Sequence, residues 1–252
     1  LMIRLGQIRT QMRADQPMQE LGEPFHSQIE TALTEAEIGF EAQQWEDAER
    51  SVDEAHDLWT RWRRSRPDWV AQLKAHQRFI ERLEELEPDI PYVAALRQRA
   101  EDIYREIPMM DSPQALRDRL EPVITRAEDF IELRTRVQTL AGLAALSEAQ
   151  ADVYQGMLNN IDPWDSDFEQ IYADLAEQVE DAILQARQTR LRELIGQHET
   201  VFARVDKGER GAFEERLQAL RDEIEALEPG DEAGYVRLLT RISGTLEVER
   251  AA

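Results

Sequence analysis

At 252 residues with no cysteine, the chain has no disulfide, no thiolate metal site and no cysteine nucleophile. Its 30 basic against 52 acidic residues, a formal net charge of −22, disfavour unaided binding to nucleic-acid phosphates or an anionic membrane and favour protein partners with a basic surface. Only 11 glycines and 10 prolines, beside abundant Ala, Leu, Glu, Arg and Gln, make this a composition of helices rather than sheets.

Leu1, Leu5, Ile8 and Met12 recur at intervals of four, three and four, so the chain is expected to open part-way along an amphipathic helix, as a piece of a larger protein would. The opening lacks the unbroken apolar stretch of a signal peptide, and no run approaches the roughly 18 apolar residues of a membrane span. A soluble, cytoplasmic protein is expected. All basic residues except Lys74 and Lys207 are arginine, a bias of GC-rich or salt-adapted genomes that points to a bacterial source.

Ile29, Leu33, Ala36 and Phe40 form the first strong stripe, with Ser27 and Glu30 spaced as a capping box at its start. Trp45, Ala48, Val52, Ala55, Trp59 and Trp62 form a second, which runs out before Pro67. Over residues 31–58 this pair resembles a tetratricopeptide hairpin: Ala36 stands at the small first-helix position, Trp45 opens the second helix, and Ala48, Val52 and Ala55 follow at the family's spacings. Gly39 replaces the usual aromatic, Thr60 replaces the closing proline, and no tandem copy follows. The resemblance implies a helix-turn-helix and, by analogy, protein binding.

Inside the second stripe, "DEAH" (53–56) has the letters of a helicase motor box, but it lacks the apolar strand before it and any glycine-rich loop ending in lysine. His26, His56 and Asp57 resemble the first part of the metal-binding pattern of HD-type phosphohydrolases. That resemblance would imply a divalent metal and a bound hydroxide attacking a phosphate ester. Helical geometry opposes it: successive residues lie about 100° apart, so with Ala55 on the seam His56 flanks it and Asp57 points away. No metal and no cofactor are therefore expected.

Residues 61–82 carry seven basic and two acidic side chains, a basic island in an acidic chain. Trp59, Trp62 and Trp69 alternate there with Arg63, Arg64 and Arg66. On a basic protein this would suggest stacking on nucleic-acid bases; here two of the tryptophans continue the apolar seam and the arginines suit the negative end of a helix, and the functional alternative is a protein-binding rim, tryptophan and arginine being favoured anchors.

Further helices are expected near 68–87, 91–106, 113–141, 147–160, 166–205, 209–228 and 231–248, with a break considered near Gly196. Ser112, Ser147, Ser166 and Asp231 mark their starts. The stretches 83–99, 158–175 and 224–242 share an acid, a proline, a turn and an aromatic, a faint internal repetition. "IPMM" before Asp111 suggests a hinge at 107–112, dividing an N-terminal unit (1–106) from a C-terminal bundle (113–252). Residues 137–186 hold ten acids and no Arg or Lys. Within them Asp162, Trp164, Asp165 and Asp167 are the second candidate partner-binding cluster; a calcium loop is not supported, because its sixth position is Gln170 and its twelfth Ala176.

The expected fold is all-α, built of antiparallel helical hairpins in an irregular helical-repeat array or two abutting bundles. The expected function is a non-catalytic scaffold or adaptor region. Two alternatives are an acidic decoy for a nucleic-acid-handling protein and a metal-dependent phosphohydrolase using His26, His56 and Asp57.

Overall fold

The computed structural model describes residues 1–143, 145–202 and 210–251. Side chains at 145–147, 198–202, 210 and 245–251 lie outside the described set, and with them the expected cap at Ser147. Among the described residues there are eleven α-helices and no strand, so the fold is all-α. No described helix is long and apolar enough to cross a membrane.

The chain divides into two compact units, Leu1–Asp129 and Phe130–Ala252. The first holds α1 (Met2–Ala14), α2 (Gln16–Leu21), α3 (Glu23–Glu41), α4 (Trp45–Arg64), α5 (Arg66–Glu85), α6 (Pro91–Glu106), a 3₁₀ turn (Ile107–Met109) and the first part of α7 (Pro113–Ala141). Leu5, Ile8 and Met12 are buried, as their spacing predicts. Between α1 and α2, Asp15 accepts a bond from the Met18 amide (3.2 Å) through Oδ1 and one from Arg66 Nη1 (3.1 Å) through Oδ2. One buried carboxylate thus caps α2 and ties it to the start of α5.

Helix α3 is under way at Glu23, with Pro24 in its first turn, so Ser27 lies inside the helix rather than at its cap. A three-residue turn, Ala42 to Gln44, then reverses the chain into α4. The two helices lie unusually close: a Cβ added to Gly39 would stand 3.2 Å from the Ala48 amide nitrogen, tighter than ordinary contact allows. Ala36, Ala48 and Ala55 are buried along the same hairpin. At its other end Phe25 packs against Trp62 (centroids 5.5 Å apart) and, edge-on, against Trp69 (5.0 Å). Each such ring contributes on the order of 2 kcal/mol or more by leaving water.

The expected hinge is part of this unit. Ile107, Pro108 and Met110 are buried, and Arg61 Nη1 donates to the carbonyls of Pro108 (2.7 Å) and Met110 (3.2 Å). Met109 alone of the methionine pair is exposed. Tyr92 of α6 donates its hydroxyl to the Arg126 carbonyl (2.9 Å), which binds the first part of α7 to the same unit. The division consequently falls at 129/130, inside α7, and not at 107–112.

The second unit contains the rest of α7, α8 (Ala145–Asn159), α9 (Phe168–Phe202), α10 (Arg210–Glu225) and α11 (Glu232–Ala251). Helix α9 runs through Gly196 without a break. Leu191 and Ile195 of α9, Phe213, Leu217, Leu220 and Ile224 of α10, and Leu238 and Ile242 of α11 form one buried cluster. The turn into α11 follows its sequence closely. Gly230, after Pro229, takes φ +79° and the Asp231 amide donates to the Glu228 carbonyl (3.2 Å), a type II turn. Asp231 then caps α11 by accepting from the Gly234 amide (2.8 Å).

Candidate functional site

The basic-aromatic segment does not form the expected rim. Trp59, Trp62 and Trp69 are all buried, because they continue the apolar stripes of α4 and α5 into the core. Trp59 donates its indole N–H to Gln11 Oε1 (2.9 Å), while those of Trp62 and Trp69 have no partner among the described residues. Arg63 holds its guanidinium 5.8 Å from the Trp59 ring centre, and Arg66 is paired with Asp15. Arg64 is exposed at the C-terminal end of α4, where its positive charge complements the negative end of the helix dipole. The tryptophans are core, so the partner anchors expected from them are not on the surface.

Among the described residues the histidines do not assemble a metal centre. His26 and His56 are half-buried and Asp57 is exposed. Among the described residues no three His, Asp or Glu side chains gather as metal ligands would. Of the described histidine side chains, His76 is the buried one. Its ring stacks on Tyr104 (5.0 Å, 14° between planes) and its Nε2 lies 3.1 Å from the Ala100 carbonyl, which makes Nε2 the protonated nitrogen. Burial pushes the His76 pKa down, and the bond to Ala100 offsets this in part. Burial, helped by the charge of Glu23, raises that of Tyr104. Both rings line a pocket of about 470 Å³ with Leu73, Ile80, Glu101 and Arg105. Arg105 is already engaged by Glu101 and Asp102.

The acidic segment behaves differently. Asp162 Oδ1 accepts from the Trp164 amide (2.9 Å) and Asp165 Oδ1 from the Asp167 amide (2.8 Å), two side-chain turns that order the loop between α8 and α9. The carbonyl of Asp167 receives the first helical bonds of α9, so Asp167 rather than Ser166 stands at its start. Asp162, Trp164, Asp165 and Asp167 all remain exposed. Apolar side chains are exposed with them: Val153 (61%) and Met157 (46%), four residues apart on one face of α8, Trp164 (40%) in the loop, and Ile171 in the first turn of α9. Met157, Trp164 and Ile171 sit at the loop end of this hairpin.

Two exposed apolar residues of the first unit escaped the sequence reading. Trp45 (52%) and Ile38 (61%) stand at the α3/α4 turn, although the stripe pattern places Trp45 in the seam. The signal was legible in charge: between Arg13 and Arg50 there are ten acids and no Arg or Lys, denser than in 137–186.

Fold and surface together define an all-α protein of helical hairpins that exposes apolar side chains at acidic turns. Compared with family models, with curated proteins and with solved structures, the chain matches none.

Proposed function

We propose that the chain is a non-catalytic scaffold or adaptor region, part of a larger bacterial cytoplasmic protein or assembly, that binds a protein partner with a basic surface through the α8/α9 hairpin. The observation that carries this reading is the exposure of Val153, Met157, Trp164 and Ile171 within a segment of ten acids and no base. Exposed apolar side chains in an acidic surround suit a partner that brings both a basic and an apolar face. The α3/α4 hairpin supports the scaffold reading, since Ala36, Ala48 and Ala55 are buried at the small positions on which its tetratricopeptide resemblance rests.

The test is a photo-crosslinking amino acid at Val153, with the exposed Arg216 as control position, in cells of the source organism. The expected result is a discrete protein adduct at 153 that is absent at 216 and lost when Met157→Ser and Asp162→Asn are combined. No adduct at 153, or equal adducts at both positions, overturns the reading. An adduct suppressed by added duplex DNA would replace the scaffold with the decoy.

A further inference from the structure

The α3/α4 turn holds an exposed tryptophan on an ordered backbone. Its backbone is set by a Schellman arrangement: the Gln44 amide donates to the Gly39 carbonyl (2.8 Å) and the Gln43 amide to that of Phe40 (3.1 Å). Gln43 takes φ +62°, the left-handed conformation that glycine ordinarily fills at this position. The tightly packed Gly39 fixes the spacing of the two helices behind it. Trp45, first residue of α4, is held edge-on by Phe40 (5.0 Å, 85°) yet leaves half its surface in water. The indole is therefore oriented before any partner arrives, which lowers the ordering cost of binding.

The charges around it are of one sign. Ile38 has Glu35 and Glu41 at i−3 and i+3 on its own helix face, and Trp45 is followed by Glu46, with Glu49 at i+4. These four carboxylates have no ion-pair partner among the described residues. The nearest base in sequence, Arg50, is paired with Asp47 (2.9 Å). Arg9 of α1 is taken up by Glu30 and Glu37.

We infer that the α3/α4 turn binds an arginine-rich segment of a partner protein that also carries an aliphatic side chain. A guanidinium stacks on the open indole face and pairs with the flanking carboxylates, while the aliphatic group packs on the half-buried Phe40 ring that holds the indole. Lysine satisfies the charge but not the planar stacking. The inference rests on the scaffold reading but uses a different surface.

The test measures fluorescence anisotropy of two labelled peptides of equal charge, one of Arg and Leu, the other of Lys and Ser, against the full chain at physiological salt. Because any polycation is drawn to a chain of net charge −22, the decisive variant is neutral: Trp45→Ala, with helicity checked by circular dichroism. The wild type is expected to prefer the Arg-Leu peptide, and Trp45→Ala to weaken it about tenfold while leaving the Lys-Ser peptide unchanged. Unchanged affinity in Trp45→Ala, or no preference between peptides, overturns the inference. If Val153→Ser with Met157→Ser abolishes binding and Trp45→Ala does not, this surface is wrong and the α8/α9 reading stands. Failure of the wild type to bind either peptide removes both.

Discussion

His76 shows how one side chain couples the core to pH. Its ring lies between Tyr104 and the Ala100 carbonyl, and burial keeps its pKa below the ordinary 6.5. The unfolded chain therefore binds that proton more readily than the folded one. Above about pH 6.5 the ring is neutral in both states and folding is not opposed; as pH falls below that value the unfolded state gains, until the depressed folded pKa is reached. Urea unfolding is expected to show stability falling from about pH 7 to about pH 5.5, with a shallower slope in His76→Gln. Equal slopes would mean that the ring charges without cost in the fold. The spacing of His76 on an apolar stripe was legible in sequence. Its bond to Ala100 was not, because that acceptor comes from α6.

Helix spans were read closely wherever a stripe and a breaker coincided, as at Pro91, Pro113 and the turn before α11. Ends governed by competing signals were less legible. Ser27 and Glu30 have capping-box spacing, yet Pro24 starts the helix earlier. The α3/α4 turn ends α3 with Gln43 in a left-handed conformation, which costs a residue with a Cβ about 1 kcal/mol relative to glycine. Gln43→Gly is therefore expected to raise the denaturant midpoint by about that much free energy with an unchanged slope. A loss of stability would show that the Gln43 side chain contributes more than its backbone costs. The 107–112 segment was misread for a related reason: two prolines announce a turn, but only Arg61, arriving from α4, determines whether that turn is packed.

At the scale of the whole molecule, a net charge of −22 acts against compaction, and 30 basic residues cannot neutralise 52 acids. Many of the ion pairs are exposed, such as Arg50 with Asp47 and Arg241 with Glu223, and contribute little individually. Screening should relieve more repulsion than attraction. Raising ionic strength from about 0.01 M to about 0.15 M shortens the Debye length from about 30 Å to about 8 Å and is expected to raise Tm. A falling Tm would show that the pairs outweigh the net repulsion.

Composition and the three-four spacing of apolar residues were enough to determine an all-α protein, most of its helices and most of its buried stripes, since those follow from the period of the helix itself. The tertiary structure decided which side of a stripe stays covered. Trp59, Trp62 and Trp69 looked like surface anchors because arginines surround them, and they are buried because neighbouring helices close over their seam. Trp45 continues the same stripe yet stands half in water. At the first position of α4, beside a turn of only three residues, it stands past the end of the helix pair and no described helix covers it on that side; exposure depends on what the rest of the chain brings near, which spacing along one helix does not encode.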